Sequence, residues 1–133
     1  MEENMMKSEW ASLPPLNGAD PAPLTEAIIT VLDEKKGHGL KKLHVEDKTV
    51  LADYFVLCTG NSNTQVKALA DEVEYKIGLR GVDPLHVEGR DNGSWVLIDY
   101  GSVIVHIFSR EARDFYNLDK LWSDAIPAVP TQD

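Results

Sequence analysis

The sequence predicts an α/β fold in a single domain, a mixed β-sheet with flanking helices. Three observations predict it. Two segments carry apolar residues at helical spacing, around Leu24 to Lys36 and from Asn63 to Arg80. Between and after them lie short runs rich in β-branched and aromatic residues, ending in the pair Trp95 to Asp99 and Val103 to Phe108. The length of 133 residues, 43% hydrophobic and 26% charged, suits one core rather than two.

The elements follow in order. Met1 to Pro23 holds Pro14, Pro15, Pro21 and Pro23, which remove amide donors, and is expected to be a flexible N-terminal arm. The folded domain is expected over 24–126, with 127–133 as a C-terminal tail. In the first helix Leu24, Ala27, Ile28, Val31 and Leu32 form one buried stripe, and Gly37 and Gly39 end it. A strand is expected over Leu40 to Val45, then a second at Tyr54 to Thr59, whose unbroken apolar run suits a strand covered on both faces. Gly60-Asn61-Ser62-Asn63 supplies N-cap candidates for the second helix, with Val66, Leu69, Ala70, Val73 and Ile77 inward and Gly81 at its end.

A short strand is expected at Leu85 to Glu88, and Gly89 to Gly93 is a turn. Trp95 to Asp99 and Val103 to Phe108 should pair as an antiparallel hairpin, with Asp99 opposite Ser102 and Trp95 opposite His106. Strand alternation puts Trp95, Leu97 and Asp99 on one face and Val96, Ile98 and Tyr100 on the other. Ser109 caps a last helical region with Ala112, Phe115 and Tyr116. Leu118, Leu121 and Trp122 add a closing turn before Pro127 and Pro130. Phe108, Phe115 and Trp122 are expected in the core.

The net charge is −9, of which −5 belongs to residues 24–132. An acidic domain is poorly suited to neutralising nucleic-acid phosphates and better suited to a basic protein partner. The single cysteine, Cys58, excludes an intrachain disulfide and reads as a small buried hydrophobe. The start, MEENMMKSEW, has no continuous apolar segment of the kind a secretory signal needs. No run approaches the roughly 20 apolar residues of a membrane helix, so a cytoplasmic location and no membrane contact are expected.

Catalytic patterns are incomplete. The turn TGNSNTQ, Thr59 to Gln65, lies between a strand and a helix, as an anion-binding turn would. Nucleotidyl transfer would also need strand-borne paired carboxylates to hold magnesium, and no D-x-D occurs on an expected strand. No lysine follows the turn in Walker form. Asp99 and His106 share a face, but no serine or cysteine nucleophile accompanies them. His38, His44, His86 and His106 lack metal-ligand spacing, so no metal or cofactor is expected. The alternative to a binding protein is a nucleotide-binding or nucleotidyltransferase-like enzyme using Thr59 to Asn63.

Three ordered segments carry a resemblance. ADYFVLCTGNS (Ala52 to Ser62), VEGRDNGSWVLIDYGSVIVHIF (Val87 to Phe108) and R-x-x-Y-x-L-x-x-L-W (Arg113 to Trp122) together resemble the ribosomal silencing factor (Iojap-like) family, over about Leu24 to Ala125. The resemblance implies a nucleotidyltransferase-like fold without its catalytic carboxylates, and no enzyme activity. It implies binding to the large ribosomal subunit at its protein fourteen, blocking subunit joining and repressing translation, with a role in large-subunit maturation and homodimers off the ribosome. Carried onto this chain, it gives Trp95, Val96, Ile98, Asp99 and Tyr100 as contact candidates, with His106 on the neighbouring strand. For Arg113, Tyr116 and Trp122 it implies structural roles: helix docking and a buried ion pair or cap.

Overall fold

In the computed structural model, residues 9–46 and 52–117 and the backbone of 126 and 127 are described. Helix α1 spans Pro21–Glu34, strand β1 His38–His44, strand β2 Tyr54–Gly60, helix α2 Asn63–Leu79, and strand β3 His86–Glu88. Strands β4 (Trp95–Asp99) and β5 (Val103–Ser109), helix α3 (Arg110–Tyr116) and strand β6 (Ile126–Pro127) complete the order. They form one sheet in the order β3-β4-β5-β2-β1-β6. Among the described residues only β2 and β5 run parallel and the remaining pairs are antiparallel, so the sheet is mixed, as the sequence predicts.

Helices α1 and α2 cover one face, where Leu24, Ile28, Val66, Leu69, Val56, Val96, Ile98 and Ile107 form the larger core. The other face carries a second cluster of Leu43, Phe55, Leu57, Ile104, Phe108 and Ala112, flanked by Trp95 and Leu97. Strand β2 is central and buried on both sides, which accounts for its unbroken apolar run.

The helix ends show where local chemistry decides. The Ser62 hydroxyl accepts from the Gln65 amide at 3.0 Å, satisfying a donor that α2 cannot satisfy itself. Past the end of α2, Gly81 takes φ +91, and Val82 N–H reaches back to Ile77 O at 3.3 Å. Helix α1 closes in the same way, but the left-handed residue is Lys36 (φ 70), with Gly37 N–H on Leu32 O at 2.8 Å. Gly37 is required for a different reason: a Cβ there would lie 2.4 Å from Cys58 Sγ.

Four expectations are corrected. The N-terminal segment is docked rather than free over residues 9–20: residues 9–12 are helical, and Trp10 is only 7% exposed. Its indole lies beneath Lys76 Nζ and Arg80 Cζ, each 5.6 Å from the ring centroid. Arg80 donates to Pro14 O, and Leu16 N–H donates to Arg80 O at 2.8 Å. Pro21 and Pro23 do not hold the chain extended, because a proline in the first helical turn lacks only an N–H the helix would not have used. Second, the hairpin register differs from the expected one: Trp95 faces Phe108, Leu97 faces His106 and Asp99 faces Ile104. Gly101 (φ +88) and Ser102 form the two-residue turn, and the Asp99 carboxylate accepts from Gly101 N–H at 2.7 Å. Third, Phe115 is 80% exposed rather than in the core, since Ala112 is the residue that α3 turns to the sheet. Fourth, the tail begins inside the sheet: Ile126 and Pro127 pair with Lys42 and Lys41 on the β1 edge, where a missing N–H is tolerated. Leu118, Leu121 and Trp122 lie outside the described residues.

Candidate protein-docking face

The sheet face opposite α1 and α2 carries a cluster of rings contributed by β2, β4, β5 and α3. Trp95 is half-buried and is gripped from several sides. Its Nε1–H donates to His106 Nδ1 at 3.1 Å. Its ring centroid lies 5.1 Å from Phe108 and 4.4 Å from Tyr116. His106 packs edge-on to Phe55 at 4.9 Å and runs nearly parallel to Phe108, 8° apart at 6.0 Å.

The state of His106 follows from these contacts. Because an indole N–H can only donate, Nδ1 must accept, and the ring is the neutral tautomer with its proton on Nε2. Burial, with 5% of the residue exposed, pushes its pKa down from 6.5 to about 4. Nε2 has no hydrogen-bond partner among the described residues. A neutral, buried imidazole beside an indole is a positioning group for Trp95, not a surface contact. Asp99 is half-buried on the same face and bonded to the turn.

The structure therefore divides the residues singled out from sequence. It brings Trp95 and His106 into contact on the face away from α1 and α2, with Asp99 on the same face but four residues further along β4. Val96, Ile98 and Tyr100 lie on the opposite face, buried beneath the helices. They are core residues, because the pleat that turns Trp95 out turns its neighbours in. Burial also raises the Tyr100 phenol pKa, with Asp83 adding to the effect.

Two residues that sequence reasoning assigned elsewhere join the site. Tyr116 is 49% exposed against Trp95, and Phe115 stands perpendicular to Tyr116 at 5.0 Å. Helical spacing did not signal this, because Phe115 and Tyr116 lie three and four residues after Ala112 and so share its stripe, yet only Ala112 is buried. Arg113 docks that helix, donating to Thr59 Oγ1 at 2.7 Å and Gly39 O at 3.0 Å.

The other candidate, the Thr59 to Asn63 turn, lies at the C-terminal end of β2. Arg110 donates to Asn61 Oδ1 at 2.8 and 3.2 Å, and Asn61 Nδ2 lies 3.1 Å from His38 Nε2. Among the described residues, no three His, Cys, Asp or Glu side chains gather as a metal site would require, and no helix is long and apolar enough to cross a membrane.

The fold is that of a single α/β domain, a mixed sheet with helices over one face and a supported aromatic cluster on the other. The model of the family described as "Ribosomal silencing factor during starvation" matches residues 19–133, and the chain belongs to that family. It is 42% identical to the ribosomal silencing factor of Bacillus subtilis over 93 residues, covering 70% of this chain and 79% of that protein. The Halalkalibacterium halodurans ribosomal silencing factor is 38% identical over 77% of this chain and 87% of its own length. A mouse protein named for mitochondrial assembly of the ribosomal large subunit is 28% identical over 74% of this chain and 44% of its own. A crystal structure of a Chromobacterium violaceum protein superposes with a TM-score of 0.77 at 35% identity, covering 84% of this chain and 93% of that one. The family ties the chain to translation regulation and to ribosome association.

Proposed function

We propose that this chain binds the large ribosomal subunit through its protein fourteen, sterically blocks subunit joining and so represses translation. The carrying observation is the Trp95–Tyr116–Phe115 patch: three adjoining aromatics on the face free of α1 and α2, one held in place by a buried histidine. Aromatic side chains dominate interface energetics when anchored and central. The −5 charge of residues 24–132 supports a basic partner. Trp95, Phe115 and Tyr116 are the proposed anchors, Asp99 supplies acidic character, and His106 positions Trp95. No bond is made or broken in this role. A part in large-subunit maturation fits the same contact, in keeping with the name of the mouse relative. Off the ribosome the same patch is open to self-pairing into a homodimer.

The test is co-sedimentation with purified large subunits, and sucrose-gradient analysis of subunit joining. Trp95→Ala and Tyr116→Ala should each weaken binding by about 2 kcal/mol, roughly thirtyfold. Val82→Ala, on the helix-covered side, should leave binding intact. Unchanged co-sedimentation of both aromatic variants would place the interface elsewhere.

A further inference from the structure

A cavity of about 280 Å³, lined by His38, Gly39, Thr59, Arg110, Arg113 and Asp114, opens at one end of the sheet. Its location has a topological cause. Strands β2 and β5 are parallel neighbours that end together, Gly60 beside Ser109. From there the chain departs to opposite faces: α2 packs with the larger core and Ala112 of α3 with the smaller one. Such a divergence at the carboxyl ends of adjacent parallel strands leaves a crevice, the usual ligand position in open α/β sheets.

Among the described residues the lining sets two guanidinium groups against one carboxylate, in a chain whose net charge is −9, with the His38 imidazole accepting from Asn61 Nδ2 beside them. Arg110 spends Nε and Nη2 on Asn61 Oδ1, which orients the guanidinium and leaves the Nη1 donors. Thr59 Oγ1 accepts from Arg113, so its own proton is available to donate. Arg113, fixed on Thr59 and Gly39, adds a stationary positive charge. The volume lies near the lower end of small-molecule sites, with room for a phosphoryl group and part of what it is attached to.

We infer that this cavity binds a small phosphate monoester, its terminal oxygens received by Arg110 and the Thr59 hydroxyl in the field of Arg113. The inference is independent of the ribosomal reading. The test is a titration of the full chain, followed by amide NMR shifts, with adenosine 5′-monophosphate, inorganic phosphate and uncharged adenosine as probes. The monophosphate should give saturable shifts at Gly39, Thr59 and Arg110, bind more tightly than inorganic phosphate, and lose affinity about tenfold in Arg110→Ala, the value of one charge-assisted hydrogen bond. Arg110 is exposed, so that variant keeps the fold. Equal shifts from adenosine, equal affinity for inorganic phosphate, or undiminished binding by Arg110→Ala would each overturn it.

Discussion

Acid should destabilise this protein through His106, and the size and pH window of the effect follow from its surroundings. The ring is buried and neutral, with a pKa of about 4 against 6.5 in an exposed histidine. Above pH 6.5 neither folded nor unfolded chain protonates it, and the stabilising effect is fully present. As pH falls from 6.5 towards 4 the unfolded chain takes up a proton that the folded chain refuses, so stability is lost across that window and levels off below it. At 1.36 kcal/mol per unit, the difference amounts to about 3 kcal/mol. That is a large share of the 5 to 15 kcal/mol typical of a domain, to order of magnitude.

The assay is urea unfolding of the wild type and of His106→Asn at half-unit intervals from pH 7.5 to 3.5. Asparagine places an acceptor oxygen near the position of Nδ1, so the bond from Trp95 is kept while the titration is removed. Other carboxylates titrate in both proteins and cancel in the difference. The difference curve should be flat above pH 7, fall with a slope approaching 1.36 kcal/mol per unit, and flatten near pH 4. Parallel curves over the whole range would refute the argument, since they would mean that His106 titrates alike in both states. In the folded protein this proton arrives only as pH approaches 4, where a hydrogen on Nδ1 faces the indole N–H, so ribosome binding should hold down to about pH 5 and weaken only below it.

Other outcomes follow from packing. Trp10→Ala should lower stability by about 3 kcal/mol in urea unfolding at pH 7, because the indole is buried against α1 and α2; a freely moving arm would give no change. Ser62→Ala should cost about 1 kcal/mol by the same measurement, as its hydroxyl caps α2. Cys58, buried, with its pKa pushed up to about 12, should resist alkylation at pH 8 and react only at the unfolding rate, read by mass increase in native and in denaturing buffer. Phe115→Ala should shift the urea midpoint negligibly, since the ring is 80% exposed, yet weaken ribosome co-sedimentation.

The fold was legible wherever burial has a period. The stripe from Val66 to Ile77, the two-sided burial of Tyr54 to Thr59 and the alternation along Trp95 to Asp99 are all direct consequences of one-sided or two-sided covering. What was not legible depends on geometry without a period. The hairpin register turns on whether the turn is centred on Tyr100-Gly101 or Gly101-Ser102; either choice keeps each side chain on its face, so the hydrophobic pattern cannot decide. The capping bond from Gly101 to Asp99 and the positive φ of Gly101 accompany the register that forms. The N-terminal contact was hidden for a related reason. Prolines argue against regular structure locally, whereas the gain from Trp10 arises from residues 66 and 70 positions away, Lys76 and Arg80.

The site illustrates how a contiguous motif separates in three dimensions. Trp95 to Tyr100 is one strand and turn, and its residues fall alternately into two roles because the strand is covered on one side by helices. Val96, Ile98 and Tyr100 give the sheet a firm back. Trp95, with its indole fixed by His106 and Tyr116, is pre-oriented at the front. Such support lowers the entropy lost when a large side chain is immobilised at an interface. His106 therefore matters to recognition through the orientation it imposes, which explains how a residue almost wholly buried can belong to a binding site. A variant that preserves the acceptor, His106→Asn, should retain binding at pH 7 better than His106→Phe, which fills the space but offers the indole nothing to bond. If His106→Phe binds large subunits as tightly as His106→Asn, the hydrogen bond to Trp95 is incidental to recognition.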